Sequence, residues 1–468
     1  MSQCFKSIIT AFIILFTVPL FGCAQYSQYF KDSTIIQAKI WSKDEDKKVH
    51  YSDWTPFVSY NVKDVKNFDS KKEEVIKRAS YKPQDYYHTN KIDDRWYVVS
   101  PLGKHIIINA VNSIRIAKDD IVPQGFSSKK DWISKTIDTL QQLGFNTAGC
   151  WSDTAAIIEY NKNTSVPFAY TVQLNLLSGF ASEKKKSNPE LKSVSVLSFI
   201  FEEGFQAYCN KKCATITYLN QDKNLLGYFS DNELPFTSGE IKNIISEKNS
   251  ADKFYVTFLD WMKKNNLDSA TDDNKKKYLG FVANIYFETV SKAIKNSDPN
   301  HMYIGSRLHS NAKNNKYIFE AADKYVDIFS INYYGDWQPK QSNMNDWAKW
   351  STKPFFITEF YTKAEETGMS NKSGAGWIVK SQKDRGVHYQ NFCLPLLQNR
   401  NCVGWHWFRY QDNDPNDSKA DESNKDSNKG IVNVNFQFYK ELSDKMSELN
   451  NHKYQLIKLF DAKKIIKK

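Results

Sequence analysis

The chain has 468 residues, enough for one large α/β barrel with an appendage or for two or three ordinary domains. Its 41% hydrophobic and 25% charged content fits a soluble globular protein. The net charge of +11 comes from 64 Lys and Arg against 53 Asp and Glu, with the lysines scattered rather than gathered on one motif. That scatter argues against a nucleic-acid partner and leaves a mild attraction to acidic or sulfated polymers.

Residues 1–22 read as a signal peptide of the lipoprotein type. Lys6 gives a positive start, and the apolar stretch from Ile8 to Phe21 is too short to span a bilayer. It ends in Leu20-Phe21-Gly22-Cys23-Ala24, similar to a bacterial lipobox. The expected membrane contact is a lipid anchor on Cys23 alone; the competing reading is plain signal cleavage after Ala24. Both predict export, to the cell envelope by the anchor or otherwise to the periplasm or medium. Five further cysteines, Cys150, Cys209, Cys213, Cys393 and Cys402, are an odd set and no disulfide scaffold. Cys209 and Cys213 could bridge only if the residues between them form a loop.

Residues 23–94 read as a β-rich or irregular N-terminal segment, and 95–468 as the main domain. There, apolar runs alternate with amphipathic stretches, which predicts βα units on a parallel sheet. Strands are expected at 105–111, 145–150, 168–174, 225–229, 302–305, 328–333, 355–358 and 403–407. Helices are expected at 130–143, 277–295 and 386–398, among others. Eight strands with intervening helices predict a (β/α)8 barrel of the TIM type, whose chemistry sits at the strand C-termini. Lysine- and serine-rich 179–189 and polar 412–429 read as insertions. Asp412, Asp414 and Asn416 have calcium-loop spacing, but Asp417 and Ser423 replace the required Gly and Glu, so a solvated loop is expected and no metal or cofactor is implied.

Candidate site residues follow the strand ends. The first strand ends with Asn112 and Arg115, and the second with Trp151 and Asp153, all possible lining for a cleft floor. The fourth apolar run stops at Asn232-Glu233. The fifth offers Arg307 and His309, which alternation would send to one face. The sixth ends Asn332-Tyr333-Tyr334-Gly335-Asp336-Trp337, where Tyr333, or second Tyr334, could donate to Glu359. The seventh ends in Glu359. Trp405 and Trp407 on the eighth either offer a sugar platform or fill core. Aromatic residues make up 15% of the chain, and flat rings stack on sugar faces, although most such rings fill core.

Two glutamates at two strand ends suit cleavage of a glycosidic bond. Glu233 would protonate the leaving oxygen and Glu359 would attack the sugar carbon, with Asn232 placed to hold the sugar 2-hydroxyl. Either glutamate alone could equally be a loop charge. The alternative for the whole chain is a non-catalytic glycan-binding surface lipoprotein that keeps a barrel.

The ordered set resembles the retaining (β/α)8 glycoside hydrolases with Asn-Glu after strand four and Glu after strand seven, and within them the family-50 β-agarases. The carrying segments are 144–153, Tyr228-Phe229-Ser230-Asp231-Asn232-Glu233, Gly305-Ser306-Arg307, Thr358-Glu359-Phe360, Gly404-Trp405-His406-Trp407-Phe408 and Asn428-Lys429-Gly430-Ile431-Val432. The resemblance covers about 95–450. It implies Glu233 as acid/base, Glu359 as nucleophile and a β-linked galactan such as agarose as substrate. Two departures are expected: no counterpart of the large N-terminal carbohydrate-binding region that many such agarases carry, and Leu234-Pro235 after the acid in place of a polar or charged neighbour.

Overall fold

Eight parallel strands form the barrel in the computed structural model, which describes residues 28–43, 48–70, 85–116, 122–250, 252–416 and 425–465. The predicted leader, Cys23, Asp417 and Ser423 lie outside those residues. In chain order the barrel strands are Ile108–Val111, Thr147–Ala148, Ala169–Gln173, Leu225–Phe229, Met302–Tyr303, Phe329–Asn332, Phe355–Glu359 and Cys402–Trp407. Their spatial order is five, four, three, two, one, eight, seven, six. The sheet closes where Leu308 bridges Ile331 in parallel and the Asp327 amide donates to the Tyr303 carbonyl at 2.8 Å.

Strand positions alternate between two cores. Ile108, Ala110, Phe229, Phe356 and Val403 point inward and pack on one another. The outward set, including Val111, Ile357, Trp405 and Trp407, meets the helices in a much larger cluster. A three-stranded sheet, His88–Ile92, Arg95–Val99 and His105–Ile106, packs Trp96 and Val98 against the inner core. The Trp96 amide also donates to the carbonyl of Arg400, just before strand eight, which places this sheet at the amino-terminal end of the barrel.

The helices obey their caps. Lys129–Gln142 starts where the Ser128 side chain accepts from the Asp131 amide, and the chain turns out at Gly144 with φ +80°. Asp272–Ser297 begins five residues before the predicted 277, because Thr271 caps it on the Asn274 amide. Gln382–Gln398 begins four residues before the predicted 386, set by a Ser381–Asp384 capping box. The stretch at 179–189 is largely helix, within Leu176–Ser187.

The 412–429 run is not a solvated loop at its ends. Asp412, Asn428 and Lys429 are buried; Asp412 accepts from the Asn428 side chain, the Gly430 amide and the Tyr439 hydroxyl. Cys209 and Cys213 lie one turn apart on helix Phe205–Ala214, and both thiols are free.

The N-terminal segment is built into the domain. Strand Thr34–Lys39 pairs on one side with Thr55–Ser59 and on the other with Trp377–Val379, which belongs to the excursion after barrel strand seven. Thr362–Ala364 completes this four-stranded sheet.

Strands one and eight approach closely at Gly404. A Cβ there would stand 2.3 Å from the Ile108 carbonyl oxygen, and no flexible side chain can yield to make room. Gly404→Ala is expected to lower unfolding stability by about 3 kcal/mol; an unchanged urea midpoint would show slack in this seam.

Candidate active site

The barrel mouth holds a cavity of about 860 Å³ lined by Glu233, Glu359, Asn232, Asn332, Tyr334, His309 and Trp151, among others. This is the end where the strands terminate, as the sequence predicts for the site.

Glu359 is the last residue of strand seven and is almost fully buried. Its Oε1 accepts from Arg307 Nη2 at 2.5 Å, and its Oε2 accepts from the Tyr334 hydroxyl at 2.7 Å. Arg307 has no exposed surface. It donates also to the Thr358 carbonyl at 3.1 Å, and its guanidinium lies 4.5 Å from the Trp151 ring centre and 5.5 Å from that of Phe229. Asn112 reinforces the same strand end by donating to the Thr358 carbonyl at 2.9 Å.

Glu233 follows strand four in a left-handed conformation, φ +52°. Its Oε1 accepts from Asn332 Nδ2 at 2.8 Å. Asn332 is oriented in turn by Thr358, whose hydroxyl donates to its Oδ1 at 2.7 Å. One chain of bonds thus runs from Glu233 through Asn332 to Thr358, the neighbour of Glu359. The strand-four exit is pinned by Asp231, which accepts from the Leu177 and Ser178 amides and from the hydroxyls of Ser178 and Tyr286.

Burial pushes both carboxyls upward. Glu359 reaches about 7, raised first by burial and further by Glu233, and opposed by Arg307 and Tyr334. Glu233 is raised by burial and opposed by its Asn332 bond and by Arg307. The donors differ: a cation and a phenol both point at Glu359, whereas Glu233 meets one neutral amide. Donation to the ionised form is therefore stronger at Glu359 than at Glu233.

The sequence candidates divide. Glu233, Glu359, Asn232, Trp151, His309 and Tyr334 line the cavity. Arg307 and Asn112 lie beneath it. Tyr334, not the first-choice Tyr333, donates to Glu359. Tyr333 is buried on the outer side, bonded to Asp336 at 3.0 Å and packed on Trp347 and Phe392. Trp405 and Trp407 are wholly buried rather than sugar platforms, with their indole nitrogens bonded to the Tyr389 hydroxyl and the Lys429 carbonyl. Trp337 is buried in the N-terminal sheet's core, stacked on Trp377 and Phe57. Asp153 caps helix Thr154–Lys162 and pairs with Lys129, away from the cavity. Arg115 is exposed and does not line it.

Several lining residues carried no usable sequence signal. Trp41, Lys43 and Val49 come from the N-terminal hairpin Trp41–Lys43 and Val49–Tyr51, and Lys372 to Ala375 from the excursion after strand seven. Asn332, Lys313, Tyr361 and Phe408 complete the walls. Asn332 lay inside a run already picked out, masked by the tyrosines after it.

The fold and the paired carboxyls define a (β/α)8 barrel of the kind glycoside hydrolases use. No protein-family model matches the sequence. β-Agarase B of Vibrio sp. (strain JT0107) is 31% identical over 175 residues, 36% of this chain and 17% of that protein. β-Agarase A of the same organism is 33% identical over 135 residues, 27% of this chain and 13% of that protein. The matched region thus spans under a fifth of either agarase. The solved structure of BpGH50 is 27% identical with a TM-score of 0.80, covering 92% of this chain and 96% of that one. The agarase AgWH50C shares the fold at 18% identity and a TM-score of 0.65, over 82% of this chain and 65% of that one. The chain resembles the family-50 β-agarases.

Two outcomes follow from the electrostatics. Tyr334→Phe removes a donor that lowers Glu359, so the acid limb of any activity that needs ionised Glu359 should move up by roughly one pH unit; an unmoved limb would detach Tyr334 from its charge. Glu233 is raised in the folded state, so its contribution to stability is complete below the ordinary carboxylate range and is lost as pH rises through the folded value. Glu233→Gln escapes that loss. Its melting temperature should exceed the parent's by about 2 °C near pH 8, with the gap closing toward pH 4; a gap constant with pH would contradict the assignment.

Proposed function

We propose that the chain is a retaining glycoside hydrolase acting by double displacement on β-galactosidic bonds of agarose or a related galactan. The carrying observation is the unequal pair of carboxyls on one cavity: Glu359 gripped by Arg307 and Tyr334, and Glu233 held by the neutral Asn332 amide.

The residues act in sequence. Glu233 gives its proton to the glycosidic oxygen as the bond to the leaving sugar breaks. Glu359 attacks the anomeric carbon and becomes a neutral glycosyl ester, so the negative charge of the pair passes to Glu233. Glu233, now ionised, draws a proton from water; the water oxygen displaces Glu359 and returns the carboxylate to Arg307. Asn232 is placed to bond a sugar hydroxyl. His309 is kept neutral by burial, at about 4, and its Nδ1 is buried without a hydrogen-bond partner among the described residues, ready for a second hydroxyl. Trp151 offers a ring at the floor. The galactan assignment rests on the likeness to BpGH50 and to segments of the two Vibrio agarases.

Glu359→Ala should lower turnover of agaro-oligosaccharides by on the order of 10⁴-fold or more. Azide should restore turnover in that variant and yield the glycosyl azide of inverted configuration. Parental activity in Glu359→Ala would end the proposal. Products released from agarose, porphyran and carrageenan identify the linkage.

A further inference from the structure

The charges around the cavity do not balance. Arg307 is matched by Glu359, and Glu233 is the other carboxylate on the lining. Three lysines then remain on the walls: Lys43 from the N-terminal hairpin, Lys313 from the segment after strand five, and Lys372 from the excursion after strand seven.

Lys313 is the telling member. It is 7% exposed, yet no carboxylate among the described residues lies within ion-pair distance of its Nζ. Its ammonium sits 5.1 Å from the Tyr333 ring centre. The acid that acts on it most, Asp336, is already paired with Lys340 at 2.6 Å. Asp426, near Lys372, is engaged by the Ser370 and Ser373 hydroxyls and the Lys372 amide. Lys313 lines the cavity together with Glu233 and His309, so it borders the space a sugar would fill. A buried cation without a counterion is costly, and an anion arriving with the substrate would relieve that cost.

We infer that the cavity contains a subsite for an anionic substituent on the galactan, a sulfate ester or a carboxylate, centred on Lys313 and flanked by Lys43 and Lys372. This rests on the glycosidase reading and narrows its substrate to charged galactans. A neutral agarose unit leaves Lys313 uncompensated. A sulfated or carboxylated unit supplies acceptors to its Nζ, while the two exposed lysines draw the polymer in.

The test compares kcat/KM on sulfated galacto-oligosaccharides, the same oligosaccharides after desulfation, and uronate-bearing ones, for the parent, Lys313→Met and Lys43→Ala. Expected is a preference for one charged class of about tenfold or more, reduced to near parity in Lys313→Met through KM; the preferred class names the anion. Lys43→Ala, at an exposed position, should lose part of the preference and some of its salt dependence. Equal or better use of the desulfated substrate by the parent, or a preference unchanged in both variants, overturns the subsite. If no oligosaccharide is turned over, the glycosidase reading fails, and calorimetric titration of Glu233→Gln with the same sugars decides the subsite. Tighter binding of charged than of desulfated sugar, lost on adding Lys313→Met, upholds it; no difference overturns it.

Discussion

A guanidinium without exposed surface organises this molecule. Placing Arg307 inside a barrel costs several kcal/mol in lost hydration. Glu359 supplies the counter-charge, the Thr358 carbonyl an acceptor, and the faces of Trp151 and Phe229 the remaining enclosure. Three residues around it, Trp151, Glu233 and Arg307 itself, hold left-handed backbone at φ +61°, +52° and +56°. Such conformations persist in residues with a Cβ only where the surroundings over-determine them. Here the surroundings are the strand ends that all converge on one ion pair.

The mouth above that pair is built by two distant pieces of chain. The N-terminal strand Thr34–Lys39 pairs with Trp377–Val379, so the first described residues and the excursion after strand seven rise as one wall. Buried Lys363 ties it together, donating to the carbonyls of Asn371, Ser373 and Gly374 and to the Tyr51 hydroxyl. Burial draws this ammonium down to about 7.

The barrel was legible in the sequence because its signal is collective. Eight apolar runs with capped helices between them leave few other arrangements. The two glutamates were legible because an apolar run ending in a carboxylate is uncommon. Register at the strand ends was not. Strands six and seven pair Ile331 with Ile357 and then Asn332 with Glu359, skipping Thr358. That irregularity breaks the two-residue alternation just where the site lies. It brings Asn332 and Tyr334 over the cavity and turns Tyr333 outward. Trp405 and Trp407 failed as platforms for a related reason: on strand eight alternation does hold, His406 takes the inner face and packs on Phe229 and Phe356, and both indoles face the helices. Lys313 and Trp41 reach the cavity from segments whose placement only the tertiary pairing fixes.

Burial raises both carboxyls, Glu359 the more, so by itself it would favour the proton on Glu359. The donors set the opposite bias. A protonated Glu359 would have to turn a hydroxyl toward a guanidinium or give up a bond to Tyr334, whereas a protonated Glu233 keeps its Asn332 bond on one oxygen and presents its proton from the other. Asn332 can hold only this role, because its own oxygen already accepts from Thr358, leaving the amide nitrogen to face Glu233. The hydroxyl of Thr358 thereby fixes the amide orientation, the amide holds Glu233, and the backbone carbonyl of the same threonine holds Arg307 beneath Glu359. One residue on strand seven couples both halves of the pair, and the asymmetry that the proposed mechanism needs follows from the placement of neutral and charged donors around the two carboxyls.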